Sequence, residues 1–197
     1  MVTCVLVLQC TRKLLSAVGG PTAGHLPDGH PLDQWHANLF HWERRKCVIF
    51  VNDRTLLPVL LFGVKKQQLS NLADAFTEVF CSQLQERRVP AYVVDEVRRL
   101  YQQAHVTATR DRSVGGSLNQ FTKELKWVVA QDRVRSPTLG TGEVDDFLWA
   151  QASVRIPEFR VAEALTDVFL ARFVENGRPD LAEARAELRR RSRLALA

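Results

Sequence analysis

The chain has 197 residues, 46% apolar, 25% charged and 8% aromatic, with 10 Gly and 8 Pro. These proportions exclude a collagenous, low-complexity or disordered chain and predict one globular domain able to bury a core. Lys and Arg number 27 against 22 Asp and Glu, and the net charge of +5 is well short of a histone-like polycation.

The first element expected is a buried strand over Thr3 to Gln9, apolar and free of charge. Thr11 to Val18 follows as a short helix that Gly19-Gly20-Pro21 would stop. Residues 19–34 hold three Pro and four Gly and read as a long loop of the kind that is often functional. Trp35 to Trp42 and Cys47 to Val51 read as strands around the polar turn Glu43-Arg44-Arg45-Lys46. Asn52-Asp53 then signals a turn before a third strand over Leu56 to Phe62. Pro58 cannot donate to a ladder, so that strand is expected at an edge or with a bulge.

Helical spacing takes over with Leu69, Leu72, Phe76, Phe80 and Leu84, a helix of about five turns that Pro90 would end. Ala91 to Gln103 reads as a second helix, His105 to Thr109 as a short strand, and Leu118, Phe121, Leu125 and Val128 as a third helix. The fold class expected is α+β, a small and mostly antiparallel sheet flanked by helices, with a helical C-terminal third. The divisions are a core domain at 1–135, a linker at 136–142, a helical extension packed on the core at 143–176 and a basic C-terminal helix at 177–197.

Charge is uneven along this order. Residues 84–140 are basic and 141–187 acidic, and the end is basic again through Arg189, Arg190, Arg191 and Arg193. Partner recognition and intramolecular pairing both produce such a pattern. A basic amphipathic end also suits nucleic acid, an acidic membrane surface or an acidic protein face, although arginines there complement the helix's own dipole.

No apolar run approaches the ~20 residues that cross a bilayer, and Val2 to Leu8 lacks the basic leader and cleavage site of an export signal. Cys4, Cys10, Cys47 and Cys81 form neither a C-x-x-C pair nor a disulfide framework. A cytoplasmic protein with reduced thiols is expected.

The most informative segment is Arg110-Asp111-Arg112-Ser113-Val114-Gly115-Gly116-Ser117-Leu118-Asn119-Gln120-Phe121. Ser117 with Gln120 three residues on is a capping box, which alone explains much of it. Arg110 and Arg112 beside a helix start would also suit a phosphate or carboxylate, though no P-loop Gly-Lys-Ser/Thr is present. Asn52-Asp53-Arg54-Thr55 is a hairpin turn that could carry function on rigid strands.

His36 and His41 lie an odd number of residues apart on one strand and so on opposite faces, and no zinc pattern occurs. No metal or cofactor is expected. Asp145 and Asp146 suit the first turn of a helix, and no G-x-S-x-G elbow occurs.

Several blocks taken together resemble an uncharacterised prokaryotic family, a domain of unknown function, across about residues 3–173. They are Thr11-Arg12-Lys13-Leu14-Leu15, Asp33-Gln34-Trp35-His36-Ala37-Asn38-Leu39, Asn52-Asp53-Arg54-Thr55-Leu56-Leu57-Pro58-Val59, and Arg112-Ser113 with Gly116-Ser117-Leu118-Asn119-Gln120-Phe121. The resemblance implies a single intracellular α+β domain and brings no established activity, cofactor or catalytic residue. The loop at 24–32 and the arginine-rich end depart from the family pattern.

These blocks, with Arg110 beside the helix start, nominate Trp35, Asn38, Asn52, Arg54, Arg110, Arg112, Ser113, Ser117 and Asn119 as ligand-binding residues, most of them in one polar cleft. The expected function is a noncatalytic binding module for an anionic partner, either nucleic acid or a phosphate or carboxylate ligand. The alternatives are an enzyme acting on phosphate esters or nucleotides, with His36, Asp53 and Asp111 as acid or base, and an inhibitor- or antitoxin-like protein-interaction module.

Overall fold

The computed structural model describes residues 5–22, 33–42, 44–53, 57–86, 89, 91–109, 116, 118–120 and 122–123. In chain order the elements are β1 (Leu6–Cys10), α1 (Arg12–Val18), β2 (Gln34–Trp42), β3 (Arg45–Asn52), β4 (Pro58–Phe62), α2 (Lys66–Ser70), α3 (Leu72–Glu86), α4 (Ala91–Leu100) and β5 (Ala104–Ala108). The predicted linker at 136–142, the helical extension and the basic C-terminal helix lie outside the described residues.

The strands form one sheet in the order β4-β3-β2-β1-β5. β1 runs parallel to both β2 and β5, and β3 runs antiparallel to β2 and β4. The sheet is therefore mixed, which corrects the expectation of a mostly antiparallel one. The cause is connectivity. Parallel neighbours need a crossover, and the stretch holding α1 supplies one between β1 and β2. β5 then arrives on the far side of β1 after three helices, an order that local patterning does not encode.

β1 is buried at every position, as a strand in a parallel setting covered on both faces should be. One face of the sheet carries Leu6, Leu8, Trp35, Ala37, Val48, Phe50, Val59 and Leu61, and α1, α2, α3 and α4 pack on it. Trp35 lies at the centre, edge-on to Phe76 at 4.8 Å and to Phe80 at 5.3 Å between ring centroids. The long helix expected over Leu69–Leu84 is two, because the chain leaves helical geometry at Asn71 (φ −119°, ψ 51°) between α2 and α3.

β4 is an edge strand, and Pro58 is its first residue, where a missing N–H costs least. The other edge, β5, is partly covered by Thr22, whose N–H donates to Val106 O and whose Oγ1 accepts from Val106 N–H, both at 2.9 Å. Cys10, Cys47 and Cys81 are free thiols. Burial pushes Cys10 up to about 12 and Cys81 up to about 11, so both are core packing groups that stay protonated. No helix among the described residues is long and apolar enough to cross a membrane.

Candidate functional site

The sheet face away from the helices divides into two unlike halves. Its antiparallel half is apolar: Phe40, Cys47, Ile49, Val51 and Leu60 form a cluster capped by Leu118, with Trp42 and Phe62 at its margin. Its parallel half is polar. Register places Thr107, Gln9 and His36 in one row across β5, β1 and β2, with Gln34 and His105 one step toward the strand starts. Thr11 and Asn38 lie one step toward the strand ends, where Thr11 Oγ1 donates to Asn38 Oδ1 at 3.0 Å.

Gln9, His36 and Thr107 are buried, and buried polar groups demand partners. Gln9 Nε2 donates to Gln34 Oε1 at 3.2 Å and to Asp53 Oδ2 at 3.1 Å. The other Asp53 oxygen is hydrogen-bonded to His36 Nδ1. An ionised carboxylate, which only accepts, satisfies both neighbours at once. The Nδ1–H of His36 is then the donor to that carboxylate. His36 Nε2 is buried and has no partner among the described residues. The arrangement thus runs from Gln34 through Gln9 and Asp53 to a buried imidazole whose far nitrogen has no partner among the described residues. Thr109 Oγ1, just past β5, is likewise buried without a partner there.

A second feature lies at one end of the sheet. Three chain segments meet there: the first turn of α1, the two-residue connection between β2 and β3 with the start of β3, and the junction of β4 with α2. Lys13 Nζ lies 3.4 Å from His41 Nδ1, and Val64 N–H donates to Lys46 O at 2.8 Å. Together the three segments carry Arg12, Lys13, Arg44, Arg45, Lys46, Lys65 and Lys66, all exposed. None of the seven pairs with a described carboxylate. On α4, by contrast, Arg98 faces Glu78 and Asp95, and Arg99 holds Glu96. Arg44 also occupies the left-handed region, with φ 65°. A glycine there would avoid the steric cost of a Cβ. The chain leaves β5 at this end too, since Thr109 N–H donates to Cys10 O at 3.1 Å, and in sequence Arg110 comes next.

Of the residues nominated from sequence, Trp35 and Asn38 are placed on opposite faces of the sheet. Trp35 is a core residue on the helix-covered face. Asn52, its register partner, is buried and spends its Nδ2 on Gln34 O at 3.1 Å, holding the end of β3 to the start of β2. Asn38 points to the opposite face, and Asn119 is exposed. Arg54, Arg110, Asp111, Arg112, Ser113 and Ser117, together with Arg189, Arg190, Arg191 and Arg193, lie outside the described residues.

Sequence reasoning missed Gln9, Gln34 and Thr107, although a glutamine inside an otherwise apolar strand is a visible signal. The His36–Asp53 contact joins two residues already weighed as an acid or base. Among the described residues no group of three or more His, Cys, Asp or Glu is placed to hold a metal ion.

A family model described as Domain of unknown function (DUF6933) matches residues 7–147. No curated protein and no solved structure matches the chain significantly.

Proposed function

We propose a function on one premise, that this chain belongs to the DUF6933 family: the domain is a binding module for an anionic partner, engaged through the cationic end of its sheet. The observation that carries the reading is the convergence of seven exposed cations from three chain segments. Like charges brought together at a surface repel one another, and a polyanion relieves that repulsion. Arg44 adds support, because an arginine held at φ 65° accepts backbone strain that glycine would avoid.

Binding through such a surface releases counterions and must weaken with salt. Labelled nucleic acid titrated at several salt concentrations should give a log–log slope of up to about −5, at ~0.7 per phosphate neutralised on a single strand. Arg44→Gly should lower that slope by about 0.7 and raise stability to urea by about 1 kcal/mol. Absence of binding at low ionic strength to nucleic acid, heparin and anionic vesicles alike would remove the reading.

A second reading, an enzyme acting on phosphate esters, is favoured by His36 itself. Its Nδ1 is engaged by Asp53 while the buried Nε2 has no partner among the described residues, and in a neutral ring that nitrogen would serve as a general base. Bis(p-nitrophenyl) phosphate is a suitable probe. Water oxygen would bond to phosphorus, its proton would pass to His36 Nε2, and p-nitrophenolate would leave. Hydrolysis should fall by at least ~100-fold in His36→Gln, at the low end of the usual contribution of a general base. Equal turnover in the wild type and the variant would discard this reading.

A further inference from the structure

The cationic end also carries aromatic rings, and their position says what kind of polyanion fits. Trp42 closes β2, Phe62 closes β4, and Arg45 opens β3 between them. The Trp42 and Phe62 rings meet edge to face, with centroids 5.3 Å apart and planes at 80°. The Arg45 guanidinium lies over Phe62, 5.2 Å from its centroid. Both rings are only half-buried, at the margin of the apolar cluster, whereas Trp35, Phe50, Phe76 and Phe80 are sealed in the core. Exposed cations flank them in sequence, with Arg44, Arg45 and Lys46 after Trp42 and with Lys65 and Lys66 after Phe62.

A surface that binds charge alone has no use for partly exposed indole and phenyl rings. In a duplex the bases are stacked on one another and the phosphates face outward, so such rings would find no base to contact. A single strand offers both, a backbone for the cations and unstacked bases for the rings. We propose that the cationic end is a single-stranded nucleic-acid surface, with Trp42 stacking on a base and the surrounding Arg and Lys side chains following the phosphates. This rests on the anionic-partner reading and narrows it to one class of partner.

The test compares fluorescently labelled oligo(dT), oligo(U), a mixed-sequence duplex of the same length, and heparin, at one salt concentration and then across a salt series. The expected result is tighter binding of the single strands than of the duplex. Trp42→Ala should lose about 5- to 100-fold in affinity for oligo(dT), the usual worth of one stacked base. Its salt slope should be unchanged, and Trp42→Phe should keep most of the affinity.

Equal or tighter binding of duplex or heparin by the wild type would overturn the inference while leaving the anionic-partner reading intact. So would undiminished oligo(dT) binding by a Trp42→Ala protein whose circular dichroism is native. If that variant does not fold, the wild-type preference between strand and duplex still decides. Failure of every polyanion to bind would remove both readings together.

Discussion

Replacing Trp35 with alanine should cost about 3–5 kcal/mol of unfolding free energy, the largest loss expected of any single change considered for this protein. The side chain is fully buried at the middle of the sheet, and its ring meets Phe76 and Phe80 edge-on. Truncation would remove the transfer energy of an indole and leave a void bounded by two aromatic rings and the strands beneath. Tight interiors collapse only partly around such voids. Urea denaturation followed by circular dichroism measures the loss directly.

A milder change at the same residue separates packing from binding. Trp35 faces the helices near the start of β2, whereas the cationic end lies where β2 closes at Trp42. Trp35→Phe should therefore keep nucleic-acid affinity within about two-fold while losing part of the stability. A Trp35→Phe protein that folds stably yet binds tenfold more weakly would return this residue to the ligand site.

The second large effect is expected at Asp53. Its two oxygens serve His36 Nδ1 and Gln9 Nε2, and both of those residues are buried. Asp53→Ala strips two buried donors of their acceptor, and each such donor costs about 1–3 kcal/mol. The carboxylate itself is 24% exposed, so water replaces part of what is lost, and a net destabilisation of about 2–3 kcal/mol is expected. His36→Phe should cost less, because it removes the open Nε2 together with the donor. In the double variant the losses should fall short of their sum by about 1 kcal/mol or more. Strictly additive losses in urea would show that the pair is not coupled.

Asp53→Asn probes the same contact without a change in size. An amide keeps one acceptor and presents a donor in place of the other, so either His36 moves its proton from Nδ1 to Nε2 or the Gln9 amide turns its oxygen toward the new donor. Ring nitrogen signals in the NMR spectrum report that switch of tautomer.

How far the chain could be read before folding is visible at particular residues. The partly alternating run Trp35–Trp42 is reproduced nearly to the residue by β2, and the continuous apolar run Cys47–Val51 lies within β3, which begins two residues earlier at Arg45 in the expected turn. The helical spacing from Leu69 to Leu84 gave the type of structure but not the break at Asn71, which no glycine or proline marks. Pairing β1 with β5 could not be inferred, since nothing local to Leu6–Cys10 specifies Ala104–Ala108 as a neighbour. Trp35 and Asn52 stood out through the family-like blocks that hold them, and both are used structurally. The cationic end was hidden for the opposite reason. Arg12, Lys13, Arg44–Lys46 and Lys65–Lys66 look like ordinary surface charge in three short groups, and only the sheet order brings them together.

The place of β1 between β2 and β5 sets the order in which this domain can be completed. Leu6 N–H donates to Gln103 O at 2.9 Å, and the register joins Leu6 to Ala104, about a hundred residues along the chain. The entropy of closing so long a loop must be met before those bonds form. As the polypeptide emerges from the ribosome, its first strand therefore keeps one flank without its native neighbour until β5 has been synthesised. The β2–β3 hairpin has no such loop to close, so its pairing is expected to precede that of β1 with β5.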